Sequence, residues 1–223
     1  MRGKLIVLEG LDGSGKATQT ELLWNALTQE GYAVKKVTFP DYERPSSSLV
    51  KMYLAGNFGT DAESVNAYAA SSFYAVDRYA SYRMNWWDFY QNGGIVLADR
   101  YTTSNAVHQC AKLPKEQWDE YLYWLFDFEY NKIGIPKPDQ VIYLDVDPDV
   151  SQKLLTKRYG GDEKKKDIHE QNLHYLEHSR AAAQYCVKTL GWKRIQCSQN
   201  GEMRAKEEIQ KDIQTLVKQL IEI

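Results

Sequence analysis

The sequence has 223 residues, with 28 basic and 30 acidic side chains and a formal net charge of −2. This length suits one domain with a sizeable core, and a hydrophobic content of 43% is ordinary for a globular enzyme. The balanced charge argues against a protein whose whole surface grips nucleic acid, so positive charge for anionic ligands must be gathered locally in a cleft.

The cysteines and the N-terminal run indicate the compartment. Cys110, Cys186 and Cys197 are widely spaced and show no CxxC pattern, which argues against a disulfide framework or a zinc site and favours a reducing environment. The apolar run at 5–8 is too short for a signal sequence or a membrane span. We therefore expect a cytoplasmic enzyme.

Short apolar runs alternate with helical patterns along the chain. Strands are predicted at 4–9, 34–39, 95–99, 140–145 and 194–197. Helices are predicted at 16–30, 61–91, 115–132, 148–157, 168–190 and 203–221. This alternation predicts an α/β fold with a five-stranded parallel sheet and helices on both faces, in one domain spanning 1–223. Ligands of such sheets bind at the carboxyl ends of the strands.

A glycine-rich loop follows the first predicted strand and precedes the first predicted helix. The loop reads Gly10-Leu11-Asp12-Gly13-Ser14-Gly15-Lys16-Ala17-Thr18, which is G-x-x-x-x-G-K in its proper context. Its glycines allow backbone N–H groups to approach phosphate oxygens, and the helix N-terminus adds positive potential. Lys16 supplies a full charge for the β and γ phosphates, so the loop predicts a P-loop three-layer sandwich that binds ATP.

Position 17 departs from the motif. Ser or Thr is expected there as a ligand of Mg²⁺, but Ala17 has no oxygen. Mg²⁺ must therefore depend on water, phosphate and a carboxylate elsewhere. A catalytically weak enzyme is one reading of this departure.

Further motifs follow in order along nearly the whole chain. They are Thr38-Phe39-Pro40-Asp41-Tyr42, Ser72-Phe73-Tyr74-Ala75-Val76-Asp77-Arg78, Asp99-Arg100-Tyr101 with Ser104-Asn105, and Pro136-Lys137-Pro138-Asp139. Together with the phosphate loop they resemble the thymidylate kinase family. The resemblance implies transfer of the γ-phosphoryl group of ATP to thymidine monophosphate (dTMP), with Mg²⁺, for dTTP synthesis. It also implies a homodimer, with no membrane or nucleic-acid partner.

Asp99 and Arg100 stand at the end of the third predicted strand. Asp99 can hold Mg²⁺ directly or through water, and Arg100 offers a planar fork for an acceptor phosphate. A structural Asp–Arg ion pair is the alternative. The resemblance implies that Asp12 orients the acceptor phosphate, through metal, water or Arg100, and a loop-stabilising hydrogen bond is its alternative. We thus expect Asp12, Lys16 and Arg100 to be catalytic and Asp12 and Asp99 to bind metal.

The acceptor base is assigned by resemblance. Phe73 would stack on thymine and Arg78 would hydrogen-bond its carbonyl oxygen, a pairing that suits a pyrimidine. Simple core packing for Phe73 and a surface salt bridge for Arg78 are the alternatives. The other expected substrate-binding residues are Phe39, Pro40, Tyr42, Leu54, Arg100, Ser104, Asn105, His108 and His169.

Two of these residues depart from the family pattern. At His108 the family usually has an aromatic group that packs on the deoxyribose, and at His169 some relatives have a tyrosine over the base. Either histidine is alternatively a bystander. If both face the ligand, selectivity for deoxy substrates is open and binding varies with pH near 6 to 7.

A basic segment at about 154–168 resembles the lid that closes over ATP. It contains Lys157, Arg158, Lys164, Lys165 and Lys166, with Gly160-Gly161 as hinge candidates. Because Gly13 occupies the loop position where some relatives have an arginine, the resemblance implies that Arg158 is the transition-state arginine. A solvated charged face is the alternative.

Two other functions remain open from the sequence. One is a P-loop kinase that acts on another nucleoside monophosphate or a deoxynucleoside. The other is a non-catalytic nucleotide-binding regulatory protein, which the missing NKxD-type guanine motif disfavours.

Overall fold

The computed structural model describes residues 2–61, 63–158 and 173–222, without the side chains of positions 157, 158, 173 and 174. Its centre is a parallel sheet with the strand order β2-β3-β1-β4-β5. The strands are β1 Lys4–Glu9, β2 Val34–Thr38, β3 Ile95–Asp99, β4 Gln140–Asp145 and β5 Lys193–Gln196. The predicted fold class is confirmed, and each predicted strand matches to within one residue at its ends.

Helices surround the sheet. They are α1 Lys16–Gln29, α2 Ser48–Leu54, α3 Ala67–Ser81, α4 Trp87–Gln91, α5 Thr102–His108, α6 Trp118–Phe126, α7 Pro148–Arg158, α8 Leu173–Thr189 and α9 Lys206–Ile221. Two π-helical turns, Tyr82–Trp86 and Asp127–Ile133, follow α3 and α6. A small hairpin of β6 Ser198–Gln199 and β7 Glu202–Met203 precedes α9.

The alternation of side chains along β1 explains the three layers. Ile6 and Leu8 are fully buried against Leu23 of α1 on one face of the sheet. Leu5 and Val7 point to the other face, where they pack in the cluster that contains Trp86. Successive residues of a strand face opposite sides, so an uninterrupted apolar strand requires helices on both.

The predicted helix at 61–91 is wrong in extent. The helix begins only at Ala67, because the side chain of Asn66 caps it by accepting a hydrogen bond from the backbone N–H of Ala69 at 2.8 Å. A π turn then interrupts it at Tyr82–Trp86. Trp86 in that turn is buried against the sheet.

Other boundaries also differ. The predicted helix at 115–132 contains α6 between a 3₁₀ turn and the π turn at Asp127–Ile133. Met203 belongs to β7, and α9 starts three residues later. The seven-residue helices α2 and α5 were not predicted. Such short helices carry too few residues to display a helical period.

Two predicted features fall wholly or partly outside the described residues. His169 lies outside them. Of the predicted lid at about 154–168, only the part up to position 158 is described, as the end of α7. A single domain over 1–223 stays a prediction. Within the described ranges, none of the helices has the length and apolar character that crossing a bilayer requires.

Candidate active site

A cleft of about 740 Å³ opens at the carboxyl ends of β1, β2 and β3. Most of the predicted site residues with described side chains line it: Asp12, Gly13, Gly15, Lys16, Ala17, Thr18, Phe39, Pro40, Tyr42, Leu54, Arg78, Asp99, Arg100, Ser104, Asn105 and His108. Four predicted residues are not part of the lining: Gly10, Leu11, Ser14 and Phe73. The motifs that follow three separate strands therefore meet in one place.

The phosphate loop has the backbone that its glycines predict. Gly13 and Gly15 have φ values of 78° and 82°, in the left-handed region that favours glycine. A Cβ on Gly13 would stand 2.8 Å from the backbone oxygen of Ser151 in α7. Position 13 thus has no room for a side chain, which agrees with a loop that carries no arginine.

Three loop residues do not line the cleft but make contacts that fix the loop: Gly10, Leu11 and Ser14. A Cβ on Gly10 would stand 2.8 Å from the backbone oxygen of Leu144. The backbone oxygen of Leu11 accepts hydrogen bonds from Ser14 N at 3.1 Å and from Lys16 Nζ at 3.0 Å. These residues therefore hold the loop and its lysine in position.

Lys16 is buried at the start of α1. Its Nζ lies 4.0 Å from Asp12 Oδ1 and 3.5 Å from Ser14 Oγ. Burial and the neighbouring charge of Arg100 together lower the pKa of Lys16 to about 8, against the opposing effect of Asp12. The charged form of Lys16 is therefore disfavoured by its surroundings, and an anionic ligand would stabilise it.

Arg100 lies at the junction of the loop and the third strand. Its backbone has φ 66°, a left-handed conformation that is rare for a non-glycine residue and that turns the side chain back into the cleft. The guanidinium forms an ion pair with Asp12 and lies 3.8 Å from Glu9 Oε1. Burial opposes its charge, but Asp12 and Glu9 prevail and raise the pKa of Arg100 above its ordinary value.

Glu9 is a site residue that the sequence reasoning missed. It is buried at the end of β1, where Oε2 accepts hydrogen bonds from Thr103 Oγ1 and Ser104 Oγ, both at 2.7 Å. Ser104 Oγ also accepts from Arg100 Nη1 at 3.3 Å. Glu9 thus ties the start of α5 to Arg100. Its signal in the sequence is a carboxylate that ends an otherwise apolar strand.

Arg78 is held by a second residue that was missed, Glu129. Arg78 is 1% exposed and Glu129 is 0% exposed. Arg78 donates from Nε to Oε2 at 2.7 Å and from Nη2 to Oε1 at 2.5 Å, and from Nη1 to the backbone oxygen of Tyr101 at 3.4 Å. Thr102 Oγ1 donates to the same carboxylate at 3.0 Å. The pair is buried, so the alternative of a surface salt bridge for Arg78 does not hold.

Phe73, the ring expected to stack on the base, does not line the cleft. Phe73 packs against Phe58 and Tyr53, with ring centroids 5.5 and 6.4 Å away, whereas Tyr74 lines the cleft. A helix turns about 100° per residue, so residues four apart, such as Tyr74 and Arg78, lie only about 40° apart on the helix surface. Phe73 points to a neighbouring face and packs in a small aromatic cluster there.

Asn105 and Gln109 stand one turn apart and are both buried at the cleft. Asn105 Nδ2 donates to the backbone oxygen of Ser71 at 3.3 Å. The side-chain oxygen of Gln109 has no hydrogen-bond partner among the described residues. A buried acceptor without a donor is costly, so Gln109 is suited to receive a donor from a ligand. Its four-residue spacing from Asn105 is the signal that could have found it.

His108 lies beside Arg100, with 3.2 Å between its Nε2 and Arg100 Nη1. Its ring is nearly parallel to that of Tyr175 in α8, at a centroid distance of 6.2 Å. The hydroxyl of Tyr175 donates to the backbone oxygen of His108 at 2.9 Å. His169 and the side chain of Arg158 fall outside the described part of the chain.

Comparisons with known proteins agree on one family. The sequence model of the thymidylate kinase family matches residues 8–213. A thymidylate kinase of Mycobacterium tuberculosis is 31% identical over 66% of this chain and 68% of its own length. One from Arabidopsis thaliana is 30% identical over 97% of this chain and 71% of its own length. A solved thymidylate kinase from Candida albicans superimposes with a TM-score of 0.71 at 21% identity, over 98% of this chain and 92% of that one.

The buried pair of Arg78 and Glu129 yields a stability prediction. Glu129→Gln leaves the Arg78 charge uncompensated in the interior, so we expect a loss of about 3 to 5 kcal/mol in the free energy of unfolding. Urea unfolding followed by circular dichroism measures it. Glu120→Gln, at an exposed position of α6, is the matched control and should change stability by less than about 0.5 kcal/mol. Equal stability of the two variants would contradict the prediction.

Proposed function

The chain belongs to the thymidylate kinase family and is a phosphotransferase that moves the γ-phosphoryl group of ATP to dTMP; we propose that the cleft residues described above carry this reaction. The observation on which the assignment rests is that two cationic groups converge on Asp12: Lys16 at the start of α1 and Arg100 directly after β3. Lys16 belongs to the phosphate loop. Arg100 lines the same cleft as Tyr74 and Arg78.

The donor site consists of the loop residues from Gly13 to Thr18. Their backbone N–H groups and the N-terminus of α1 are oriented for the phosphates of ATP. Lys16 would leave the backbone oxygen of Leu11 and bind the β and γ phosphates, where it neutralises charge that shifts during transfer. The reaction requires no covalent intermediate, because positioning and charge neutralisation lower its barrier.

The acceptor phosphate would face this loop at Arg100. Its guanidinium is a planar fork that matches two phosphate oxygens. Asp12 holds that fork in the absence of the ligand and can orient the incoming phosphate through water or metal. Both residues sit at the boundary of the donor and acceptor sites, so we assign them catalytic roles together with Lys16.

Recognition of thymine would combine one ring and three polar groups. Tyr74 offers an aromatic face for stacking. Arg78 has three of its five N–H groups engaged by Glu129 and Tyr101, so the remaining two can donate to a carbonyl oxygen of the base. The unsatisfied oxygen of Gln109 can accept the N3–H of thymine, and Asn105 can contact the remaining edge.

The remaining wall residues would enclose the nucleoside. Phe39, Pro40 and Tyr42 follow β2, and Leu54 ends α2 on the same side of the cleft. Asp77 ties this segment to α3, because it accepts hydrogen bonds from Asp41 N at 2.8 Å and Ser46 Oγ at 2.6 Å. The segment after β2 is thereby held over the acceptor site.

The residues present fit a magnesium ion that is held mainly by phosphates. Asp12 and Asp99 are carboxylates in the cleft wall, and Mg²⁺ prefers such hard oxygen ligands together with water and substrate phosphates. No cluster of three or more acidic, histidine or cysteine side chains suited to a metal occurs among the described residues. We propose that Asp12 and Asp99 hold Mg²⁺ directly or through water. The ion would neutralise charge on the β and γ phosphates when bound.

Arg158 completes the proposed set. It ends α7, which reaches the cleft through Leu154 and Leu155. The Cβ contact that excludes a side chain at Gly13 supports a transition-state arginine from the lid rather than from the loop. Closure of the lid would also exclude water and limit hydrolysis of ATP.

We further propose a homodimer that pairs through α3 and α6. These helices and the turn between α3 and α4 expose apolar side chains: Val76 at 46%, Tyr79 at 45%, Met84 at 78% and Tyr123 at 78%. Apolar area of this kind, clustered on neighbouring elements, is typical of interaction surfaces. Trp86 in the same stretch is core instead.

Three buried free cysteines suit the reducing cytoplasm, which we propose as the compartment.

The acceptor is tested with Mg·ATP and a panel of dTMP, dUMP, dCMP, dGMP and thymidine, by following ADP release. We expect the highest kcat/KM with dTMP. Arg78 and Gln109 match the O4 and N3–H that thymine shares with uracil and that cytosine lacks, so these two side chains account for the preference over dCMP and not for that over dUMP. Lys16→Ala should lower kcat by about a hundredfold or more, since it removes a donor that neutralises transition-state charge. Lys188→Ala, at an exposed lysine of α8, is the control. Turnover of thymidine alone would overturn the assignment of the acceptor.

The lowered pKa of Lys16 predicts how triphosphate binding depends on pH. Below about pH 8 the ammonium is present, and above it the free protein loses that charge. The Kd of a non-hydrolysable ATP analogue without added metal should therefore rise about tenfold between pH 7 and pH 9. Isothermal titration calorimetry measures this change. Lys16→Arg keeps its charge over this range and should show a flat profile; a flat profile of the unmodified protein would refute the idea.

The dimer is tested by placing charge in the exposed face. Val76→Glu with Tyr79→Glu should convert the dimer into a monomer, because two carboxylates per chain would be desolvated and would oppose each other across the interface. Analytical ultracentrifugation gives the mass directly. The matched control places the same charges elsewhere, as Leu49→Glu with Met52→Glu on α2, where both side chains are exposed. A monomeric unmodified protein at micromolar concentration would contradict the proposal.

A further inference from the structure

We propose that His108 is a positioning residue for Arg100, and that only its neutral imidazole performs this role. In the arrangement observed, Nε2 of His108 accepts a hydrogen bond from Arg100 and keeps the guanidinium turned toward the acceptor phosphate. The transfer reaction should therefore weaken when His108 takes up a proton. This inference rests on the proposed role of Arg100 in gripping that phosphate.

The direction of the hydrogen bond follows from the chemistry of the two groups. A guanidinium has five N–H donors and no acceptor, so at 3.2 Å the Nε2 of His108 must present its lone pair to Nη1 of Arg100. The proton of the neutral ring is then on Nδ1. A protonated imidazole would instead direct an N–H at another N–H and add a cation beside a cation.

The hydrogen bond matters because Arg100 is held at both ends. Nη2 is drawn to Asp12 in the phosphate loop, while Nη1 donates to Ser104 at 3.3 Å and approaches His108. Without His108, Nη1 keeps two long contacts, to Ser104 Oγ at 3.3 Å and to Glu9 Oε1 at 3.8 Å, which fix the rotation of the guanidinium less firmly than all three contacts together. Rotation of the guanidinium would remove the geometry in which two of its N–H groups bind two oxygens of one phosphate.

The charges around His108 come from several elements. Arg100 at the end of β3 and Lys16 at the start of α1 oppose a further positive charge in the cleft. Asp12 from the loop and Glu9 from β1 partly offset them. From α8, Tyr175 contributes a ring nearly parallel to the imidazole and a hydroxyl bonded to the backbone oxygen of His108. This hydrogen bond to the backbone keeps Tyr175 beside His108.

Two substitutions separate the hydrogen bond from the ring. In His108→Gln the side-chain oxygen can accept from Arg100 at nearly the place of Nε2, and it does not titrate. In His108→Phe the ring remains and the acceptor is lost. At pH 8 we expect His108→Phe to lower kcat/KM for dTMP about tenfold without changing the KM for ATP. His108→Gln should restore most of that loss.

The pH profile provides the decisive comparison. Protonation of the imidazole removes the acceptor, so the ratio of kcat/KM for dTMP between the unmodified protein and His108→Gln should fall as the pH is lowered from 8 to 5.5, by at most the roughly tenfold loss expected for His108→Phe. Ionisation of the dTMP phosphate cancels in this ratio, because both proteins share the substrate. His178→Gln, at an exposed position of α8, should give a ratio that does not change with pH.

A second measurement does not depend on activity. Long-range proton–nitrogen spectra of protein labelled at its four histidines, assigned with His108→Gln, should show the Nδ1–H tautomer for residue 108 at pH 8. An Nε2–H tautomer, or a constant ratio for His108→Gln across the pH range, would overturn the inference. Failure of the unmodified protein to phosphorylate dTMP would instead refute the proposed function, and the spectra would still report on the hydrogen bond.

Discussion

The ion pairs of Arg100 with Asp12 and Glu9 join the ends of the neighbouring strands β1 and β3, and the site depends on this connection. Leu8 of β1 pairs with Asp99 of β3, and the backbone N–H of Arg100 continues this pairing by donating to the oxygen of Leu8 at 3.2 Å. The next residue of β1 is Glu9, so its carboxylate and the guanidinium come to the same level. Arg100 has a left-handed backbone between β3 and α5, and its guanidinium lies between Asp12 of the loop and the α5 side chains of Ser104 and His108. Strand register and a local conformation together place one cation between two sites.

Three cations of the cleft, the buried Lys16 and Arg78 and the partly buried Arg100, are each held by an acceptor of the protein itself. Lys16 donates to the oxygen of Leu11, Arg100 pairs with Asp12, and Arg78 pairs with Glu129. An uncompensated charge in such a place would cost several kcal/mol. The three cations differ in how completely they are held. Glu129 engages Arg78 at two points inside the core, so that side chain stays fixed. Lys16 is held by a hydrogen bond to a backbone oxygen and Arg100 by a partly exposed carboxylate, so both can turn to phosphate.

Sequence reasoning recovered what is encoded locally. The strands are uninterrupted apolar runs, and the phosphate loop is a contiguous motif, so both could be read in order along the chain. Glu129 was missed because its partner Arg78 is 51 residues away, and no local pattern indicates that two distant charges meet. Phe73 was expected at the base, but it does not line the cleft and the adjacent Tyr74 does. Adjacent aromatic residues fit the same motif, and only the angular position relative to Arg78 separates them. The break at Tyr82–Trp86 was also unreadable, because a π turn preserves helical composition while it rotates Trp86 into the core.

Asp12 couples the donor and acceptor sites electrostatically, because a single carboxylate serves both cations. It pairs with Arg100 and lies 4.0 Å from Lys16, while the charge of Arg100 itself lowers the pKa of Lys16. An anion that binds at Arg100 compensates that charge and thereby makes the ammonium form of Lys16 easier to keep. The converse holds for a triphosphate at Lys16, since the coupling free energy between two sites is reciprocal. Binding at one site therefore changes the charge that the other site presents, so the donor and acceptor sites are electrostatically coupled through Asp12 and Arg100.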